Sequence, residues 1–350
     1  MSRSASMSIA ALAALALVAT ACAPTPVQQS PTPTPTPRLI RVSIADLGII
    51  TQAPVYIAMD RGYFEAEGLQ ANLVPVRTLS ETAQLAAIGQ VDFGGMAPDP
   101  ALFNALERGI QIKLLGSGGI FHKSLTGASG MVVRQDLVDS GRYRELADLK
   151  GFKIAVGSVP AQFYVEQILN RAGQTATDVE FTTLQLQDMA AGLKGRAIDA
   201  AWMLEPLIGA MRTQNLSTQV ASGFDAMQDG VSWFVFASPS AAGGTPEIAA
   251  RFMRAYVRGL RDFHHAFGLK DASPDSVFDA LAAYSSIHDR KVLENVAMHP
   301  VDPNGTLDIA SFDRYQDYYL AHGLQNQKID LTRYFDTAPL EAALETLGRL

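Results

Sequence analysis

Short apolar runs alternate with segments of helical spacing along most of the chain after residue 40. Residues 40–44 alternate between apolar and polar and predict a strand. A loop with a glycine follows it, in which Thr51 is a plausible N-cap and Pro54 suits the first turn of a short buried helix. Residues 71–76 predict a second strand. Because ligands of open α/β sheets bind beyond the carboxyl ends of the strands, the loop after the first strand is a candidate binding loop.

Two sections of the chain repeat the same order of features. Residues 84–98 and 189–206 each read as an apolar helix closed by glycine, a short β-like run with Val-Asp or Ile-Asp, and a proline that opens another helix. Strand–helix–strand patterns precede them, at 40–76 and at 152–184. One α/β pattern used twice predicts two similar lobes with parallel sheets.

A glycine-rich section at 116–130 separates the two patterns, and an apolar β-rich run at 231–237 follows the second. The glycines do not precede a convincing helix, so we interpret them as hinge and cleft backbone and not as phosphate loops. Two crossings between the lobes would form a hinge of the kind that closes around a ligand.

The amino terminus reads as a secretion signal. Arg3 is the only charge in residues 1–21, and the apolar run 9–18 is too short to span a bilayer. Small residues precede Cys22, as at a lipoprotein processing site, so we predict cleavage before Cys22 and lipidation of its thiol. An ordinary signal peptide with an incidental cysteine is the alternative. The Thr-Pro tract that completes residues 22–37 predicts a stiff, extended tether.

Composition narrows the classes of function. Cys22 is the only cysteine, which excludes an intramolecular disulfide and a cysteine-rich zinc site. The formal net charge of −7 gives no indication of nucleic-acid binding. The sequence has no G-x-S-x-G motif, no P-loop and no metalloprotease spacing of His and Glu. We therefore expect a binding protein with no cofactor, no metal and no enzymatic activity.

The run A-P-V-Y-I-A-x-D-x-G-Y-F-x-x-x-G-L at residues 53–69 closely resembles the opening of the solute-binding proteins of ABC importers. The matching branch takes in nitrate, sulfonates, taurine, riboflavin and the pyrimidine precursor of thiamine. The resemblance continues through residues 84–93, 148–158 and 195–206, and it covers most of the chain after residue 38.

This resemblance implies an α/β protein of the type II periplasmic-binding-protein fold, with two lobes around a ligand cleft. Residues 38–122 and 237–350 would form the first lobe, including the helical region after Pro246, and residues 123–236 the second. The implied partners are a small-molecule ligand, an ABC permease and its ATPase. We expect a monomer on the extracytoplasmic face of the cell membrane, attached through its lipid anchor.

Loops at the carboxyl ends of both predicted sheets, and the two crossings, supply the candidate ligand contacts. These are Asp46, Gln52, Tyr56, Arg77, Met96, Asp99, Phe121, Ser158, Gln162, Trp202, Glu205 and Trp233. Met96, Phe121, Trp202 and Trp233 could stack against a ring, with ordinary core packing as the alternative. Asp99 stands beside a helix start, where an N-cap is the favoured interpretation.

The charges in these loops favour a neutral or weakly basic heteroaromatic ligand. A buried sulfonate or nitrate would prefer bare amides and a cation, and Arg77 is the one obvious cation there. Thiamine-precursor binders generally carry a Trp where this chain has residues 47–50, without an aromatic, so riboflavin is the favoured vitamin. The pyrimidine precursor, a sulfonate, taurine or nitrate anion, and a sensory role remain open. A pyrimidine synthase is disfavoured because the Cys-rich motif of such enzymes is missing.

Overall fold

The computed structural model describes residues 38–243 and 246–350. The signal peptide, Cys22 and the tether predicted for residues 1–37 lie outside these residues. Two five-stranded sheets carry the fold. In chain order the strands are β1 (Ile40–Asp46), β2 (Leu69–Pro75), β3 (Phe93–Met96), β4 (Lys113–Ile120), β5 (Ser129–Arg134), β6 (Lys153–Val156), β7 (Glu180–Thr183), β8 (Ala200–Leu204), β9 (Ser217–Ser222) and β10 (Val231–Ala237).

Helices cover both sheets. In chain order they are α1 (Ala53–Asp60), α2 (Tyr63–Ala66), α3 (Leu79–Ala87), α4 (Pro100–Glu107), α5 (Gln135–Asp139), α6 (Val159–Arg171), α7 (Leu186–Lys194), α8 (Leu207–Thr213), α9 (Gly223–Ala226), α10 (Pro239–Ala242), α11 (Pro246–Phe263), α12 (Asp275–Tyr284), α13 (Arg290–Leu293), α14 (Ile309–Ala321) and α15 (Ala338–Leu347). A π-helical turn, His264–Leu269, extends α11.

The two sheets share one strand order. The first runs β2–β1–β3–β10–β4 and the second β7–β6–β8–β5–β9. β1 is parallel to β2 and β3, and β6 is parallel to β7 and β8. The α/β class with two similar lobes is therefore confirmed.

The prediction of purely parallel sheets is wrong, because each sheet has one antiparallel strand in its fourth place. β10 is antiparallel to β3 and β4, and β5 is antiparallel to β8 and β9. β4 ends at the same sheet edge as β1 and β3, so the chain enters the second sheet from its carboxyl edge and β5 must run the opposite way. β10 re-enters the first sheet in the same manner. Since all of β10 belongs to the first sheet, the return crossing lies before Val231, earlier than the boundary at 236/237 expected from the sequence.

The repeated Val-Asp and Ile-Asp motifs perform the same structural task in both lobes. Asp92 accepts a hydrogen bond on Oδ2 from the backbone N–H of Ser43 (2.8 Å), and Asp199 accepts one from that of Lys153 (3.0 Å). Each aspartate therefore ties the start of the strand in the third place of its sheet, β3 or β8, to the neighbouring strand in the second place, β1 or β6.

The sequence suggested a loop at residues 116–119. The glycines there lie inside β4 instead. Large side chains fill the space above them: Met253 packs over Gly116, and Tyr256 and Trp233 pack over Gly118. A β-carbon at Gly118 would lie 2.7 Å from the Tyr256 hydroxyl, closer than atoms can pack. The glycines thus allow large side chains to pack closely on β4 beside the crossing.

Candidate functional site

The loop between β1 and α1 is held by a buried hydrogen-bond network. Asp46 Oδ1 accepts hydrogen bonds from the Tyr56 hydroxyl (2.5 Å) and the Gly48 N–H (2.9 Å). Gln52 accepts from the Leu47 N–H (2.8 Å) and donates to the carbonyl of residue 45 (2.9 Å). Burial raises the pKa of Tyr56 far above its ordinary value, with the Asp46 carboxylate as a further cause. These predicted site residues therefore shape the loop and bond to each other.

The start of α1 differs from the prediction. The helix begins at Ala53 after a 3₁₀ turn, Ile50–Gln52, and the N-cap position is held by Gln52 without a side-chain cap. The prediction that Thr51 is the N-cap is wrong, because Thr51 lies within the 3₁₀ turn. Pro54 lies in the first turn of α1, as the sequence indicated.

Two acidic side chains occupy helix starts beside the crossings. Asp99 caps α4 by accepting the Ala101 N–H (2.8 Å), and burial raises the pKa of Asp99. Glu205 accepts the Gly209 N–H in α8 (2.9 Å) and the Ala297 N–H (3.5 Å), and burial raises its pKa as well. Each carboxylate is therefore engaged by backbone donors.

The start of α6 is different. Ser158 is exposed and caps the helix through its hydroxyl, which accepts the Ala161 N–H (3.3 Å), and the first turn holds no acidic residue. One turn further on, Gln162 donates to Glu166 Oε1 (2.9 Å). Helix starts present N–H groups and a partial positive charge, which suit an anion. In α6, Pro160 has no N–H and the Ala161 N–H is bonded to Ser158, so the partial charge and the Val159 N–H are what the start offers.

Arg77 is exposed at the end of β2, and its guanidinium makes no ion pair within residues 38–243 and 246–350. Only its backbone is engaged, donating to Glu81 Oε2 (2.7 Å). Met96 is fully buried at the end of β3.

The aromatic candidates are packed inside the protein. The Trp202 and Phe121 rings each lie 5.0 Å from the ring of Tyr164, centroid to centroid. Trp233 lies across Gly95, where a β-carbon would come within 2.3 Å of the indole nitrogen. Trp202 is 4% exposed, Phe121 8% and Trp233 6%.

Sequence reasoning missed a cluster that joins the two lobes. Tyr164 and Glu166 of α6 meet Tyr315 and Tyr318 of α14, and His322 follows α14 directly. The sequence did hold one local signal of this cluster. It is the aromatic pair at 163–164, which lies one turn into a helix that starts at a candidate binding loop. The partners on α14 lie more than 150 positions away in the chain, so local patterns could not reveal them.

Within the described residues, no group of three or more His, Cys, Asp and Glu side chains could hold a metal ion. The part of the chain that the structure covers also contains no helix long and apolar enough to cross a membrane.

Residues 50–266, more than half of the chain, match the family described as NMT1/THI5 like, and the chain belongs to that family. A protein of Brucella abortus (strain 2308) named as a binding protein is 25% identical over 243 residues, which cover 69% of this chain and 70% of that protein. The 4-amino-5-hydroxymethyl-2-methylpyrimidine phosphate synthase of Aspergillus parasiticus is 30% identical over 153 residues, covering 44% and 42%.

Solved structures share the fold. The alkanesulfonate-binding protein SsuA from Xanthomonas axonopodis pv. citri, bound to MOPS, superposes with a TM-score of 0.64 at 17% identity, covering 87% of this chain and 100% of that one. The ligand-binding component of an ABC-type import system from Staphylococcus aureus, with zinc bound, gives 0.67 at 12% identity, covering 87% and 99%. The periplasmic-binding-protein fold expected from the sequence is thereby confirmed.

Proposed function

We propose that this chain is the extracytoplasmic substrate-binding protein of an ABC importer. The observation that carries the proposal is the pair of sheets with one strand order, joined by two crossings at their carboxyl edges. A ligand held there contacts both lobes, and its higher affinity for the closed arrangement supplies the free energy of closure. Membership of the NMT1/THI5-like family and the named function of the Brucella relative support this role.

The ligand we propose is a small organic anion of the sulfonate class. The α6 start is free of acidic residues, whereas Asp99 and Glu205 already occupy the starts of α4 and α8. Because backbone N–H groups engage these carboxylates, they are poor acceptors for a basic ligand, which removes the main reason to expect one. The alkanesulfonate-binding neighbour supports the same class.

Riboflavin, the ligand expected from the sequence, is less favoured. A flavin would use the flat faces of Trp202, Phe121 or Trp233, and these rings pack on Tyr164 and on glycines. None of the relatives described above is named as a flavin-binding protein.

A pyrimidine-forming enzyme is the second candidate, favoured by the 30% identity to the Aspergillus synthase. A binding protein returns from incubation with ligand unchanged in mass. An enzyme of that kind would release a pyrimidine product, which liquid chromatography with mass spectrometry detects.

The anchor is part of the proposal. A lipid on Cys22 would hold the protein at the membrane beside its permease, as a monomer whose chain returns to the first lobe before Val231. Intact-mass measurement on membrane-extracted protein tests this: an acyl mass on a chain beginning at Cys22 is the expected result, and its absence contradicts the anchor.

Ligand class is tested on the full chain purified without added ligand. The denatured extract is searched by mass spectrometry for co-purified small molecules. An organosulfonate at near-stoichiometric amount supports the proposal, and a flavin would replace sulfonate with riboflavin while leaving the receptor role intact. A pyrimidine that is absent from this extract and forms only during incubation of the purified protein would overturn the receptor role.

A further inference from the structure

Two helices from different lobes meet beside the crossings. α6 follows β6 in the second lobe, whereas α14 packs on the first lobe, with Phe312 against Phe234 (ring centroids 5.4 Å apart) and the Tyr319 hydroxyl donating to the Pro98 carbonyl (2.6 Å). Contacts between α6 and α14 are therefore contacts between the lobes.

Glu166 on α6 is the polar centre of this contact. Its side chain is buried, and Oε1 accepts a 2.7 Å hydrogen bond from the Tyr318 hydroxyl. His322 Nε2 lies 3.1 Å from Oε2, within ion-pair distance. The first lobe thus places the Tyr318 hydroxyl on one carboxylate oxygen and the His322 imidazole beside the other. Hydrogen bonds to a buried charge are among the stronger ones, since an unpartnered carboxylate is costly in such a place.

The same carboxylate also reaches toward the proposed ligand site. Oε1 accepts from Gln162, which lies one turn after Ser158 at the start of α6. Around these bonds, the Phe163 ring packs against Tyr315 and Tyr318 at centroid distances of 5.0 Å and 4.9 Å.

We infer that Glu166, Tyr318 and His322 form a clasp between the lobes, and that Glu166 is the positioning residue that couples lobe closure to the ligand site. When the lobes come together, Tyr318 and His322 fix the carboxylate, and the carboxylate fixes the Gln162 amide. The coupling to Gln162 rests on the proposed function, whereas the clasp itself does not depend on any ligand.

Single-molecule energy transfer between labels on the two lobes tests the clasp without ligand. The full chain carries Cys22→Ser, Arg108→Cys and Lys194→Cys; residues 108 and 194 are exposed, one in each lobe, and Cys22 is the only native cysteine. Tyr318→Phe and His322→Leu should each move the equilibrium toward the long-distance state by roughly tenfold, the effect of losing one hydrogen bond to a charged group. His322→Lys places an ammonium group near Glu166 and should restore the short-distance state.

Tyr334→Phe is the matched control, because the Tyr334 hydroxyl donates to the Leu106 carbonyl (2.8 Å) wholly within the first lobe. It should leave the distances unchanged. A shift with Tyr334→Phe as large as with Tyr318→Phe overturns the clasp, and so do unchanged distances in both Tyr318→Phe and His322→Leu. If circular dichroism shows that Tyr318→Phe or His322→Leu has not folded, Glu166→Gln is measured in its place.

Titration with hexanesulfonate separates the two proposals. If the clasp couples closure to the site, Tyr318→Phe weakens binding several-fold while Tyr334→Phe does not, and equal affinities overturn the coupling. Absence of binding to the unmodified chain contradicts the sulfonate ligand, and the distance measurements still decide the clasp.

Discussion

The ring of Trp202 lies 5.0 Å from the ring of Tyr164, at an interplanar angle of 38°. Trp202 lies in the middle of β8 and Tyr164 lies in α6, so this contact joins sheet and helix inside the second lobe. We predict that Trp202→Ala lowers the free energy of unfolding by about 3–5 kcal/mol, the range for removing a large aromatic side chain from a core. Urea denaturation followed by circular dichroism measures it.

Trp202→Phe is the control for this prediction and should lose less, because a ring remains against Tyr164. If Trp202→Ala unfolds like the wild type but loses affinity for hexanesulfonate, Trp202 is a ligand contact and its assignment to the core is wrong.

The Tyr56 hydroxyl is the side-chain donor to the buried Asp46 carboxylate. Tyr56→Phe should lower the free energy of unfolding by about 1–3 kcal/mol, because it removes a donor from a buried charge. The Tyr284 ring stacks on the Tyr56 ring, with the ring centroids 6.1 Å apart, and the Tyr284 hydroxyl has no hydrogen-bond partner within the described residues. Tyr284→Phe is therefore a matched control with little expected effect. Equal losses in the two variants would show that the Asp46 bond adds nothing.

Gly95 leaves the space that the Trp233 indole fills. Gly95→Ala should displace the indole, lower the free energy of unfolding by about 1–3 kcal/mol and shift the fluorescence of Trp233. The chain has two tryptophans, so the spectrum is recorded in a Trp202→Phe background. In a Trp233→Leu background the same glycine substitution should cost less. Strict additivity would exclude direct contact as the cause.

His299 is buried between Gly119 and Phe263, beside the Gly118 backbone. Burial lowers its pKa from 6.5 to about 4. Between these values the unfolded chain binds a proton that the folded chain does not, so stability falls as the pH falls, by about 3 kcal/mol from this residue.

His299→Leu should therefore flatten the loss of stability between pH 6.5 and 4, measured as the urea midpoint at several pH values. The exposed His288→Gln should keep the wild-type slope. A His299→Leu slope as steep as that of the wild type would assign the acid sensitivity to other groups.

Local patterns carried much of the fold. The region after Pro246 is largely helical, as the sequence indicated, and the repeated glycine and Asp motifs indicated two similar lobes. β4 was missed over Gly116–Gly119 because glycines in a run resemble a loop. What makes them a strand is the packing of Trp233 and Tyr256, which are distant in sequence.

The site was harder to predict for the same reason. Sequence position correctly suggested that Asp99 is an N-cap, since capping is local. It could not show that Tyr164 lies against both Trp202 and Phe121, or that Tyr318 reaches Glu166 from the other lobe. Those contacts join residues that are distant in the sequence.

Calorimetric titration of ligand-stripped protein with hexanesulfonate, and in parallel with riboflavin, tests the central claim most directly. A sulfonate receptor should bind one sulfonate per chain in a saturable manner and give no heat with riboflavin. Binding of riboflavin with no response to sulfonate would contradict the proposed ligand class.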